Sequence, residues 1–275
     1  MFNQMKADFY KLRHSRLFLC TILTYVLVLL LYFLLYQVSP IGVQFMTSGS
    51  GYHERGKELG FIVKTFFNSQ QADFWEISRS AMSMTGFTWM ISAIVSIFYF
   101  ANEYKTGTIK LSVAYGNNKF KIFCSKLVIS ICYTGAVYYI LMFSSLVFTL
   151  IRTNHLLSSM ECIEFLKLVS LNFLVLVVFV LICLFVVLIF RNVAIATVAC
   201  YVFIFFGCTL ADTTWHSAQS PIETVFLRTN PVYYWMRICG YSHSGIVMET
   251  FGYCISSMAI LLLCAFFILR KQEIK

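Results

Sequence analysis

From Leu168 to Leu210 the chain reads LVSLNFLVLVVFVLICLFVVLIF, then Arg191 and Asn192, then VAIATVACYVFIFFGCTL. Apart from Arg191 the stretch contains no Asp, Glu, Lys, Arg or His. Each half approaches the ~20 apolar residues with which a helix spans ~30 Å of hydrocarbon. Read as one helix, 168–210 would be about twice as long as a bilayer requires, and Asn192 beside Arg191 suits a turn. The stretch therefore predicts two membrane spans joined as a tight hairpin.

Four further runs without ionisable side chains lie outward from it: Leu17 to Tyr36, Ala81 to Ala101, Leu127 to Ile151 and Thr250 to Leu269. The 275 residues are 59% hydrophobic and only 12% charged, too apolar for a soluble domain to cover with polar surface, so lipid must act as solvent for much of the chain. Pro40, Pro221 and Pro231 all fall between the runs, as uninterrupted helices demand. The predicted fold is an all-α integral membrane protein with one domain, 1–275. It has six transmembrane helices at 17–36, 81–101, 127–151, 168–190, 193–210 and 250–269.

Charge sets the orientation. The segments on the side of the two termini, up to Arg16, Asn102 to Lys126, the Arg191 turn and Arg270 onward, hold 13 basic residues against three acidic ones. The opposite segments hold eight basic residues against nine acidic ones. The excess places both termini in the cytoplasm. The net charge of +9 lies next to spans, where topology accounts for it, so a nucleic-acid partner is not expected. The first apolar run is too long for a signal-peptide core, and a basic amphipathic segment precedes it.

Seven of the ten cysteines fall in the predicted spans, where a thiol is a small apolar filler. Cys124 is cytoplasmic, there is no C-x-x-C pair, and only Cys162 and Cys239 lie outside, read as two free thiols in preference to a disulfide.

Ahead of the first span, Phe2, Met5, Phe9 and Leu12 recur at helical spacing, and Asn3, Gln4, Lys6, Asp8, Lys11 and Arg13 fill the other face. This predicts an amphipathic helix over 2–15, lying in the cytoplasmic interface; a solvated basic leader is the plainer alternative. Outside, Gln37 to Ser80 is Gly/Ser-rich from Thr47 to Tyr52 and too short for an independent catalytic domain. The long segment from Ala211 to Glu249 carries Trp215, Phe226, Tyr233, Tyr234, Trp235 and Tyr241. Those aromatics suit pieces that lie on, or dip slightly into, the outer leaflet.

The segment Asn102 to Lys126 carries the clearest functional signal. Gly107 and Gly116 break the helical pattern on either side of a piece of about two turns, Thr108 to Tyr115, with Ile109 and Val113 on one face. A short helix held along the membrane by two spans is a mechanical contact surface; an ordinary basic loop would not need such defined breaks.

Asn102-Glu103-Tyr104-Lys105-Thr106-Gly107-Thr108-Ile109-Lys110, followed by Leu111-Ser112-Val113-Ala114-Tyr115-Gly116 and Lys126-Leu127, resembles the corresponding stretch of bacterial ABC-2 type permeases. The leader Lys6 to Arg13 is similar to their N-terminal connecting helix, and six spans with a long last outer loop agree. The resemblance implies a permease in a bacterial plasma membrane that works with a cytoplasmic ABC ATPase, in two copies, and with a second permease, identical or related. It implies that the loop is the coupling helix, with Glu103, Thr108, Ile109, Lys110, Val113, Tyr115 and Gly116 at the ATPase contact. ATP and Mg²⁺ would be bound by that partner, with no cofactor in this chain. Within the family the chain looks most like the small permeases that export bacitracin-like or lantibiotic peptides for self-protection.

No catalytic or metal site is expected. Gly51 to Lys57 approximates a phosphate loop, but Glu58 stands where a Mg²⁺-binding hydroxyl is required, and the segment is predicted to face outward. His14, His53, His155, His216 and His243 lack ligand spacing. Lys105-Thr106-Gly107 matches a penicillin-binding triplet, without its S-x-x-K partner. An ion-coupled carrier places a titrating or ion-binding group within its spans, and none of the six has one, which favours an energy source outside the membrane. A carrier of another type, and a sensor or assembly factor that transports nothing, are the competing readings; lipid, drug or ion are the alternative cargoes.

Overall fold

A computed structural model describes residues 2–38, 74–83, 85–116, 118–154, 157–213, 221–239 and 245–271. The near-phosphate loop at Gly51 and the histidines 53, 155, 216 and 243 lie outside the described residues.

The described chain is helical: α1 (Phe2–Arg13), α2 (Arg16–Val38), α3 (Phe74–Ser83), α4 (Thr85–Lys105), α5 (Thr108–Ala114), α6 (Lys119–Thr153), α7 (Ser159–Phe190), α8 (Val193–Thr213), α9 (Pro221–Thr229), α10 (Pro231–Cys239) and α11 (Ile246–Lys271). The breaks have local causes. Ser15 accepts from the backbone N–H of Phe18 and opens α2, which leaves α1 at a bend of 63°. Ser158 and Glu161 form a reciprocal capping box at the start of α7. At the hairpin, Arg191 takes a left-handed φ of 52° and the Asn192 side chain accepts from Ala194 N–H at 2.9 Å. Pro221 and Pro231 each sit at the first position of a short helix, where no intrahelical N–H is needed.

By length and composition α4, α6, α7 and α11 can each cross a membrane, and α1 with α2 forms a bent pair that makes up to five; Val193–Cys208 of α8 is a shorter apolar helix. The second span begins at Thr85, not Ala81. Ala81 and Met82 belong to the buried stripe of α3 with Phe74 and Ser78, at helical spacing and on a separate element.

The centre of the bundle is α7, packed against α4, α6, α8, α10 and α11. A helix apolar on every side is one enclosed by neighbours, and this accounts for its unbroken Val/Leu/Phe run. Trp89 of α4 stacks on Phe179 of α7 with ring centroids 4.8 Å apart. A smaller cluster of Leu12, Tyr25, Ile91, Val95, Ile129 and Tyr133 joins α1 and α2 to α4 and α6.

Within the long segment 211–249, α10 packs into the bundle against α7, α8 and α3. The Trp235 indole N–H donates to Thr85 Oγ at 2.9 Å, and the Asn172 amide reaches the same oxygen at 3.4 Å. A single hydroxyl thus ties α4, α7 and α10, since a buried polar group in an apolar bundle must find a partner. Asn172 thus acts as a helix tie.

Candidate functional site

The segment that leaves α4 turns because Gly107 adopts φ 70° and, beyond α5, Gly116 adopts φ 83°. A Cβ at either glycine would meet nothing within 4 Å, so the left-handed backbone, not crowding, requires glycine there. Thr108 donates to the carbonyl of Glu103 at 3.3 Å, and Asn118 caps α6 by accepting from Phe120 N–H at 2.9 Å. The short helix is therefore framed by two fixed turns, close to the Thr108 to Tyr115 span read from sequence.

Its faces are not those expected. Ile109 is only 5% exposed and joins the core that includes Phe100 and Phe123, so it points into the permease and not toward a partner. Val113 is half-buried. The outward apolar side chains are Leu111, 59% exposed, and Tyr115, 80% exposed, four residues apart on one face with Lys110 beside them. Gly116 lies exposed at the end of that face.

Beneath α5 is a buried ionic cluster that the sequence reading did not foresee. The Lys126 ammonium, on a residue 1% exposed, donates to Asp8 at 2.5 Å and to Glu103 at 2.6 Å, and contacts the Tyr99 hydroxyl at 3.3 Å. Ser125 donates to the other Asp8 oxygen at 2.9 Å, and Lys11 stands 3.6 Å from Glu103. Two cations face two carboxylates, so little net charge is left in a region shielded from water. Glu103, which the resemblance set at the ATPase contact, is bonded within the chain to Lys126, and both lie on the inner sides of their helices.

The same cluster corrects the leader. Asp8, assigned to the solvent face, is buried, and α1 packs through Met5, Asp8 and Leu12 against α6. Phe9, on the apolar stripe read from sequence, is 56% exposed beside exposed Tyr10; the Phe2 side chain lies outside the described ones. One signal for Lys126 was available: it shares the inner stripe with Ile122, Ile129 and Tyr133 at helical spacing. The arrangement joins the end of α4, where the turn into α5 begins, to α1 and the start of α6.

Between α5, the ends of α4 and α11 and the Arg191 turn lies a cavity of about 860 Å³. Among the described residues, Lys105, Lys110, Lys119 and Arg191 line it with one carboxylate, Glu103; the rest of that lining is mostly apolar.

Of the two thiols read from sequence as outside, Cys162 is exposed and Cys239 buried, and they form no disulfide. Burial, offset in part by Arg79, pushes the Cys239 thiol above its ordinary range.

No curated protein matches the chain at a significant level. The family model described as ABC-2 family transporter protein matches residues 5–207, from α1 through most of α8, and so includes the ionic cluster, α5 and the hairpin. The chain therefore belongs to the ABC-2 family transporter proteins, membrane components of ABC transport systems.

Proposed function

We propose that this chain is the membrane-spanning permease subunit of an exporter driven by a separate cytoplasmic ABC ATPase, with α5 as the coupling helix. The observation that carries the reading is the exposed pair Leu111 and Tyr115 on a short helix framed by two left-handed glycines and anchored to α1 and α6 through Glu103, Lys126 and Asp8. Large apolar side chains displayed between cations are what a groove on a partner protein accepts. Lys110 flanks them, while Thr108 and Gly116 set the ends of the helix. ATP and Mg²⁺ belong to the partner, two copies of which serve a pair of permeases, this chain with an identical or related one. The Lys/Arg excess supports cytoplasmic termini in a bacterial plasma membrane, with α8 counted as the sixth crossing.

The cargo we propose is amphiphilic, an antimicrobial peptide of the lantibiotic or bacitracin-like kind, because spans without ionisable groups suit an apolar path. Two measurements test this. Tyr115→Ala combined with Leu111→Asp is expected to lose the ATPase on co-purification while the permease stays in the membrane; full retention and normal transport would remove α5 from the coupling role. Cells with the intact complex are expected to tolerate more of such a peptide than cells with an ATPase-dead partner. No shift across a panel would exclude the peptide and leave lipid, drug or ion as cargo.

A further inference from the structure

We propose that the cavity beside α5 holds an anionic phospholipid of the cytoplasmic leaflet, its phosphate on Lys105, Lys110 and Arg191 and the start of an acyl chain along Phe98, Val193 and Val198. The placement in the cytoplasmic leaflet rests on the orientation argued above.

The geometry has two ends of opposite chemistry. Lys105, Lys110 and Arg191 are exposed at the membrane-surface turns, one at the end of α4, one on α5 and one in the hairpin. Phe98 precedes Lys105 by seven positions on α4, and Val198 follows Arg191 by seven positions into α8. At 1.5 Å per residue both walls run about 10 Å from the charged rim toward the interior of the bundle. Phe98 and Val198 remain exposed in this chain although they line that deeper part.

Charge complementarity selects an anionic occupant. The one carboxylate in the lining among the described residues, Glu103, is held by Lys126 at 2.6 Å and by Lys11 at 3.6 Å, so it is already compensated. The rim cations are left to an anion from outside the chain, and basic pockets between membrane helices on the cytoplasmic side are suited to phospholipid headgroups. The apolar walls select an amphiphile over a free anion. A lipid seated there contacts α4, α5 and α8 together and stabilises the posture in which α5 meets its partner.

The test is native mass spectrometry of the detergent-purified full-length permease, without ATPase, titrated with phosphatidylglycerol and with phosphatidylcholine of the same acyl chains. The wild type is expected to bind phosphatidylglycerol in preference, and each of Lys105→Gln, Lys110→Gln and Arg191→Gln to weaken it by about fivefold. Val198→Asp is expected to abolish retention of the lipid. Inorganic phosphate is expected not to displace it, and displacement at equal concentration would overturn the lipid in favour of a phosphate-only site. Equal binding of the two lipids, or a triple Gln variant that binds phosphatidylglycerol like the wild type, would overturn the proposal. Lys110→Gln, on an exposed side chain, remains readable if the other variants fail to fold. Because the measurement uses the permease alone, failure of the transport reading leaves its outcome intact.

Discussion

Lys126 at the start of α6 and Asp8 in α1 stand 118 positions apart in the chain and meet at 2.5 Å, with both side chains almost wholly buried. Removal of one partner from such a pair leaves the other charge uncompensated, which typically costs about 3–5 kcal/mol. Lys126→Met should therefore lower the melting temperature of the purified protein sharply, since it strands Asp8 and leaves Glu103 only the more distant Lys11. Asp8→Asn should cost less, because Lys126 keeps Glu103. A Lys126→Met protein that melts with the wild type would show that the cluster contributes nothing to the fold.

The inward direction of Ile109 predicts a split within α5. Ile109→Asp buries a charge against Phe100 and Phe123 and should reduce the amount of folded permease whether or not the ATPase is present. Leu111→Asp changes an exposed position and should leave the melting curve of the isolated permease within about 0.5 kcal/mol of the wild type. Equal thermal loss in the two variants would mean that the faces of α5 are assigned wrongly.

Thr85 accepts from Trp235 and Asn172, so Thr85→Val leaves two buried donors without that oxygen, at a typical cost of about 1–3 kcal/mol. Thr85→Ser retains the hydroxyl and should restore most of the loss. The comparison is made by thermal unfolding, and identical behaviour of Val and Ser at this site would refute the hydroxyl as the tie.

At Gly207 a Cβ would come within 2.5 Å of the Asn230 amide. Asn230 in turn accepts from Val232 N–H at 2.9 Å and so caps α10. Gly207→Ala should displace Asn230 and loosen α10, seen as faster proteolysis of that segment and a lower melting temperature. Gly252→Ala, where nothing lies within 4 Å, should show neither change and serves as the control.

The two outer thiols should differ in reactivity. An impermeant maleimide applied to intact cells is expected to label Cys162, which is exposed on the proposed outer side, and to spare Cys239, which is buried and has its thiol shifted away from the reactive thiolate. Protection of Cys162 in intact cells with labelling after lysis would reverse the proposed topology.

Local chemistry determined what the sequence alone could tell. The apolar runs, the turn at Arg191 and Asn192, and the breaks at Gly107 and Gly116 were legible because each depends on a few neighbouring residues: a helix must close its own hydrogen bonds in lipid, and a left-handed backbone calls for glycine. The faces were decided only by tertiary packing. In α5 and just beyond, Ile109, Leu111, Val113 and Tyr115 recur at every second position and leave no single apolar stripe, so contact with Phe100 and Phe123 chooses Ile109 for the interior. In α1, helical spacing put Phe9 on the apolar stripe and Asp8 on the polar face. The buried ammonium of Lys126, fixed on another helix, draws Asp8 inward, because a charge withdrawn from water needs an opposite charge.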